Sequence, residues 1–488
     1  MISFCIGIAA LILGYIIYGK FVEKIFRIDT NRATPAYTKQ DGVDYIPLKP
    51  WRIFLIQFLN IAGVGPICGA IMGAKFGTAS YLWIVLGSIF AGAVHDYLSG
   101  MMSLRNDGCS LPELHGKYMG TFVRQIMRAF MIFLMILVGV VFVNTPATLL
   151  NTHFTPNWNV YIWVGIILAY YLIATLMPID KIIGKIYPVF GFLLFGMALA
   201  IVAAFIYHRP HIPELWEGLN NHAYTSTNPI FPMMFISIAC GAISGFHATQ
   251  SPLMARCMTN EKQGRPIFYG AMISEGIVAL IWAAAASYFF GPDSPVQTAG
   301  LSGPAMVGLI ANTWFTPVIC VITILGVISA SVTSGDTALR SARLIVADFL
   351  HIEQKSISKR LIIAIPLFIV TGALLVFSLT DKEGFEIIWR YFGWANQLLS
   401  VFTLWSITFY LAIENKQKYP YSYLLTLIPA LFMTMVCSTF IIMATNTGLQ
   451  ISAKWSYFMA GLVTLFCLMA FISWLRRAPN SSSHNLPS

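Results

Sequence analysis

Apolar residues along this chain gather into runs of roughly 20, the length an α-helix needs to cross the hydrocarbon core of a bilayer. Thirteen such runs are predicted, near 2–19, 52–74, 80–103, 124–150, 160–178, 186–207, 229–254, 267–290, 313–338, 361–380, 387–412, 421–445 and 455–475. Short polar stretches separate them. The run at 387–412 is the least apolar, because its first turns carry Arg390, Asn396 and Gln397.

Two of the runs are interrupted from within. Asn60-Ile61-Ala62-Gly63-Val64-Gly65-Pro66-Ile67-Cys68-Gly69 lies in the second, and Ala239-Cys240-Gly241-Ala242-Ile243-Ser244-Gly245-Phe246-His247-Ala248-Thr249-Gln250-Ser251-Pro252 in the seventh. Each sets glycines and a proline at membrane depth, where an unpaired backbone group costs several kcal/mol unless it faces a cavity or ligand. The two breaks lie five runs apart, an odd spacing, so the two helices enter the membrane from opposite sides. That is the layout of an inverted five-plus-five repeat with one discontinuous helix in each half and a binding site between them. Close helix packing is the competing explanation, since Gly69 with Gly73 and Gly241 with Gly245 have the small-xxx-small spacing.

Composition agrees with the pattern. Of 488 residues, 57% are hydrophobic and 10% charged, with a mean hydropathy of +0.72, too little polar surface for a soluble protein of this size. The formal net charge of +10 does not point to nucleic acid, because the basic residues sit in short loops and not on one face. With the first residue outside and loops alternating, 25 of the 30 Lys and Arg fall inside and 5 (Lys75, Arg209, Lys382, Arg390, Lys454) outside. This bias supports the count and places the N-terminus outside and the C-terminus in the cytoplasm. The expected organisation is a first helix and cytoplasmic loop over 1–50, a core over 51–412 built of repeats 51–207 and 229–412, two further helices over 413–476, and a disordered tail over 477–488. The N-terminal run has no charged leader or cleavage site and reads as a retained span. The eight cysteines form no CxxC pair and read as packing residues.

Ionisable residues inside spans are costly and mark pathways or proton relays. His95 and Asp96 are adjacent on the third span, so their side chains point about 100° apart, one toward a pathway and one toward a neighbouring helix, or both into an interfacial pair. His247 lies beside the second break and is the candidate for proton coupling. Glu275 is read either as a member of that site or as an acid paired with Arg265 near the inner surface. Ser331, Ser334 and Asp336 stand in a run of hydroxyls that suits an ion site of oxygen ligands, with back-bonding inside the helix as the alternative. Asp336 and Arg340, four apart, have the spacing of a pair. Asn396 and Gln397 offer donors and acceptors to a carboxylate or amide, or act as interhelical glue.

Enzyme signatures fail in context. Gly14 to Lys20 fits GxxxxGK, but Phe21 stands where Ser or Thr is needed and the stretch lies in a span. His208, His211 and His222 share an outer loop without metal-ligand spacing. No catalytic residue, metal site or cofactor is expected.

Several stretches resemble the carbon starvation protein family: Pro50-Trp51-Arg52-Ile53-Phe54 leading to Ile61-Ala62-Gly63-Val64-Gly65-Pro66, Gly73-Ala74-Lys75-Phe76-Gly77, Ala91-Gly92-Ala93-Val94-His95-Asp96-Tyr97, residues 238–247, and Phe392-Gly393 with Ala395-Asn396-Gln397-Leu398-Leu399. The resemblance implies a bacterial cytoplasmic-membrane secondary transporter of peptides or pyruvate, driven by protons, in a form shorter than many members and serving the response to starvation. Sodium in place of the proton stays open, as does the oligomeric state. The solute site is expected at Gly63, Gly65, Pro66, Gly241, Ser244, Gly245, His247, Gln250, Asn396 and Gln397, and the coupling site at His247, Asp96, His95, Glu275, Ser331, Ser334 and Asp336. A solute sensor or a gated channel on the same all-α membrane fold is the alternative.

Overall fold

In the computed structural model the chain is helical throughout, with no strand among the described residues. Those are all but 178–182, 220–228, 292, 293, 295, 297, 299, 300, 382, 383, 446 and 478–488. Nearly all of the tail assigned to 477–488 lies outside them, as do Lys181, His222 and Lys382.

In chain order the main helices are α1 (Ile2–Phe26), α2 (Pro50–Ile61), α3 (Gly65–Ala74), α4 (Ala79–Arg105), α5 (Leu111–Met119), α6 (Thr121–Phe154), α7 (Val160–Leu176), α8 (Ile183–His208), α9 (Ile230–Ser237), α10 (Gly245–Ala255), α11 (Glu261–Phe290), α12 (Gly303–Trp314), α13 (Pro317–Leu350), α14 (Ile357–Thr380), α15 (Gly384–Glu414), α16 (Leu424–Met443) and α17 (Ala453–Arg477). Among the described residues ten helices are long and apolar enough to cross a membrane, or eleven with the bent pair α2 and α3 counted as one. Two of the thirteen predicted runs fall short for physical reasons. α7 has only 17 residues, and the second break leaves α9 and α10 with 8 and 11.

Both interruptions are visible in the backbone. Ala62 leaves helical geometry, and α2 and α3 meet at 51°. Prolines at the starts of both, Pro50 and Pro66, suit a helix N-terminus, where the missing N–H would have no partner anyway. Between α9 and α10, residues 238–244 are non-helical, and Gly241 has φ +86°, a conformation that glycine adopts without a side-chain clash.

The helices sort by what covers them. α6 and α13, each 34 residues long, pack along one another, and α8 lies against α13. α10 packs on α4, and α11 on α3. α11 is almost wholly buried, and its Ala283 to Ala286 run lets neighbouring backbones come close. α17 packs mainly on α16, with Phe471 against Trp405 and Phe409 of α15 and the Tyr457 hydroxyl donating to the Phe231 carbonyl, and most of its surface is open. On α14, Ile362, Ile365, Ile369 and Val376 point outward while Ile363, Leu367, Thr371 and Leu375 are buried. That split is a lipid-facing stripe at helical spacing, backed by a packed face.

Candidate functional site

The two breaks touch. A Cβ on Gly65 would lie 2.4 Å from the Cys240 sulfur, and one on Gly241 would lie 3.6 Å from Pro66. Gly65 and Pro66 of the first break therefore meet Cys240 and Gly241 of the second, deep among buried residues. Gly63 faces α13, with the Ser334 hydroxyl 2.6 Å from where its Cβ would be. Gly245 faces α15, where a Cβ would meet the Asn396 carbonyl at 2.4 Å and the Ser400 nitrogen at 2.5 Å. At Gly245 the small residue thus serves close packing as well as the break.

Asn396 and Gln397 hold the second break open. The Phe246 N–H donates to Asn396 Oδ1 at 2.7 Å, the Ser244 hydroxyl donates to the same oxygen at 3.1 Å, and Asn396 Nδ2 donates to the Ala239 carbonyl. Gln397 Nε2 donates to the carbonyls of Phe235 (3.0 Å) and Ile238 (3.2 Å). These are backbone groups that a continuous helix would have paired internally, and in an apolar interior each needs a partner. Gln250 Nε2 reaches Thr249 Oγ1 (2.7 Å) and Ser341 Oγ (3.4 Å), one turn beyond the break.

A chain of titratable side chains runs beside this break. His95 Nδ1 lies 2.7 Å from Asp96 Oδ1, and Asp96 Oδ2 lies 2.8 Å from His247 Nδ1. His247 Nε2 lies 3.2 Å from Glu275 Oε2, and Glu275 Oε1 accepts the Gly241 N–H at 3.1 Å. All four side chains are fully buried. α4, α10 and α11 each supply part of the chain, and its last carboxylate is tied to the backbone of the break. Glu275 does not pair with Arg265, which binds Glu23 at 3.0 Å.

A second cluster flanks the first break. Asp336 accepts hydrogen bonds from the hydroxyls of Tyr170 (3.0 Å) and Tyr187 (3.1 Å), and Tyr187 also reaches Asn60 Oδ1 (3.1 Å). Thr333 and Ser334 donate to the Leu59 carbonyl at 3.0 and 3.2 Å, at the C-terminal turn of α2. Ser331 bonds back to Val327 within its own helix, so its hydroxyl is not part of this cluster. Tyr170 and Tyr187 were not singled out in the sequence. Their signal was available: a tyrosine at membrane depth carries a hydroxyl that must find a partner.

Arg340 turns away from Asp336 toward Asp44, on the loop before α2. Asp44 Oδ1 lies 3.4 Å from Arg340 Nη1 and Oδ2 3.8 Å from Arg343 Nη2. Arg340 also caps the end of α7 through the carbonyls of Ala174 and Met177. Burial by itself would raise the Asp44 carboxyl, but Arg343, Arg340, Arg256 and Arg360 around it bring it below its ordinary value. At the other end of α13's neighbours, Glu214 accepts the Met1 ammonium (2.6 Å) and the N–H groups of Ile2 and Ser3 (2.8 and 2.7 Å). These donors outweigh the upward push of burial and hold Glu214 at about 2.

The family model for carbon starvation protein CstA matches residues 1–169, 147–300 and 294–440. An uncharacterized membrane protein of Haemophilus influenzae is 43% identical over 358 residues, covering 63% of this chain and 96% of that protein. The peptide transporter CstA of Helicobacter pylori is 28% identical (59% of this chain, 52% of that protein), and the pyruvate/proton symporter BtsT of Escherichia coli 25% (61% and 51%). The aligned stretch therefore spans about half the length of these two named transporters. In fold, the chain is similar to a manganese transporter of Eremococcus coleocola (TM-score 0.56, 12% identity, 90% of this chain and 99% of that one). It is equally similar to a Na+-coupled sialic acid symporter (TM-score 0.56, 13% identity, 100% and 99%). At such identities the likeness concerns architecture alone.

Proposed function

The chain belongs to the carbon starvation protein CstA family, and on that premise we propose that it is a secondary carrier importing a small organic solute, pyruvate or a peptide, by proton symport. The observation that carries the reading is the abutment of two interrupted helices at Gly65 and Cys240, with a buried Glu275–His247–Asp96–His95 chain tied to one of them. A lone packing defect would need no such chain, and buried ionisable groups in a membrane protein mark a transport path.

In this reading thirteen spans cross the bacterial cytoplasmic membrane, with the N-terminus outside and the C-terminus inside. Residues 51–207 and 229–412 form the two inverted repeats, and rocking of one against the other exposes the site alternately to each side. The solute lies at Gly63, Gly65 and Pro66 and at Gly241, Ser244, Gly245, His247 and Gln250. An anionic carboxylate is drawn to the start of α10, where helix N–H groups and the dipole favour negative charge. The Asn396 amide oxygen already occupies the Phe246 N–H there, so the solute carboxylate takes over that position while Gln397 keeps the break open. The proton travels with His247, relayed by Asp96 and His95 and received by Glu275. The oxygens of Ser334, Asp336 and the Leu59 carbonyl form the second ion position, to which Ser331 contributes only by supporting α13, and there Na+ would replace H+ if the coupling ion is sodium.

Purified protein in proteoliposomes, offered labelled pyruvate and labelled dipeptides, tests this. Concentrative uptake under an imposed pH gradient is expected. Drive by a sodium gradient alone would overturn the proton assignment. Solute binding without flux in tight vesicles would overturn the carrier and leave a sensor.

A further inference from the structure

Three donor atoms of different chemistry converge at the second break. Cys240 Sγ, His247 Nε2 and Glu275 Oε2 all lie within 4.8 Å of one another, and all three side chains are fully or almost fully buried. Two of the atoms have no hydrogen-bond partner. His247 Nε2 and Glu275 Oε2 face each other at 3.2 Å, out of alignment for a hydrogen bond.

The surroundings fix what these atoms offer. Asp96 takes the Nδ1 side of His247 at 2.8 Å and is itself held by His95. A carboxylate on one imidazole nitrogen turns the other nitrogen's lone pair outward and orients the ring, the arrangement found behind histidine ligands of metal ions. Glu275 is fixed in the same way, since Oε1 accepts the Gly241 N–H and leaves Oε2 to point at the imidazole. Gly241 is in turn anchored by Ser88, whose hydroxyl donates to its carbonyl at 2.7 Å. Two lone pairs 3.2 Å apart in an apolar interior repel unless a proton or a metal cation lies between them. The thiol of Cys240 completes a set of sulfur, nitrogen and oxygen donors.

We propose that this cluster is a binding site for a borderline divalent cation of the Zn2+ and Co2+ class. Thiolate, imidazole and carboxylate are the donors that such ions select over Mg2+ or Ca2+. Three protein ligands leave a fourth position for water or for an oxygen of the solute. Binding releases the Cys240 thiol proton, and any proton shared by His247 and Glu275, to solvent. Because Cys240 is on the break and Glu275 on α11, the ion staples the break to its neighbour. On the carrier reading above, the consequence is that Zn2+ arrests transport.

Co2+ is the probe. Titrating the metal-free purified protein with Co2+ should give the visible absorption of a tetrahedral ion together with a thiolate-to-cobalt band in the near ultraviolet. Cys240→Ser should abolish the near-ultraviolet band, and Glu275→Gln should weaken binding at least tenfold. Asp96→Asn, which acts through His247, should weaken affinity by ~10–100-fold while the spectrum keeps its form. In the unaltered protein, Zn2+ should slow alkylation of Cys240, read by mass spectrometry, a measurement that needs no variant to fold. Absence of the bands at millimolar Co2+, or their persistence in Cys240→Ser, overturns the site. Failure of every solute to be taken up would sink the carrier reading and leave the Co2+ titration as it stands, so the two failures are distinguishable.

Discussion

Replacing Asn396 by leucine tests whether this side chain is what holds the second break in shape. Leucine keeps the branch at Cγ and is the larger side chain, so the change removes hydrogen bonds without opening a cavity. In the structure it strands the Phe246 N–H, bonded at 2.7 Å, and the Ala239 carbonyl. The Ala239 carbonyl lies in the non-helical stretch and the Phe246 N–H in the first turn of α10, where a helix has no internal acceptor, so neither has an alternative partner within its own segment. A buried group left unsatisfied costs about 1–3 kcal/mol, so two of them cost about 2–6 kcal/mol. Side-chain hydrogen bonds between membrane helices measure less, ~0.6 kcal/mol on average. That lower figure reflects partners that can be replaced, which neither the non-helical stretch 238–244 nor the first turn of α10 supplies. At about 1.4 kcal/mol per factor of ten, local opening should become at least ~30-fold more populated. Cys240 lies inside the same stretch and is fully buried, so it reports the opening directly. The assay is the alkylation rate of Cys240 in detergent, followed by mass spectrometry of its peptide, under conditions where opening is fast relative to reaction. Asn396→Asp keeps an acceptor for the Phe246 N–H and should fall between the parent and the leucine variant. A rate within threefold of the parent in Asn396→Leu would refute the argument.

Three further outcomes are expected. Asp44→Asn leaves Arg340 and Arg343 buried without their carboxylate, which by analogy with broken buried ion pairs costs ~3–5 kcal/mol; the yield of monodisperse protein should fall, and adding Arg343→Met should restore part of it, so no recovery in the double variant counts against the pairing. Glu214, held at about 2 when folded against an ordinary value of 4.5, contributes stability that is complete above about 4.5 and is lost as pH falls toward 2; the melting temperature in detergent should decline over that window, and Glu214→Gln should flatten the decline. Tyr187→Phe removes the hydroxyl shared by Asn60, Thr333 and Asp336; the ion concentration for half-maximal uptake should rise several-fold with maximal uptake little altered, and an unchanged ion dependence would separate this cluster from coupling.

Much of the architecture was legible because lipid imposes one rule. Apolar runs of about 20 residues must be helical, and glycines with proline inside such a run must be interruptions. Both interruptions lie where Gly63, Gly65 and Pro66, and Gly241 and Ser244, were read. Which residues meet across helices was not legible, since sequence spacing carries no information about contacts between distant spans. Arg265 was the nearest plausible partner for Glu275 along the chain, and Arg340 for Asp336. In the folded protein His247 and Gly241 take Glu275, and two tyrosines take Asp336. Asn396 and Gln397 were read as possible solute contacts, and the structure shows both engaged with the carbonyls of the break. Cys240 was read as a packing residue because no second cysteine stands near it in sequence. Its neighbours His247 and Glu275 stand further along the chain, in the first turn of α10 and in the middle of α11.

The placement of the two polar clusters bears on how solute and ion movement would be linked. Asp96, His247 and Glu275 lie among α4, α10 and α11, whereas Asp336, Tyr170 and Tyr187 lie among α7, α8 and α13. Replacing such buried ionisable groups with apolar ones of similar size is often neutral or stabilising, so stability alone does not account for them. What joins the clusters is the pair of breaks. The Leu59 carbonyl, at the end of α2, is held by Thr333 and Ser334, and the Gly241 N–H is held by Glu275. The breaks themselves meet at Gly65 and Cys240. A solute that shifts either break must therefore lengthen a hydrogen bond to one cluster, and through the abutment it strains the other. Coupling of this kind requires no long wire, only two short bonds on opposite sides of one contact. Ser334→Ala combined with Glu275→Met should then change ion-dependent solute affinity by more or less than the sum of the single variants, because the first loosens the hold on the Leu59 carbonyl and the second removes the acceptor of the Gly241 N–H. Strict additivity within about 0.3–0.5 kcal/mol, the margin found for independent sites, would show that the clusters act separately.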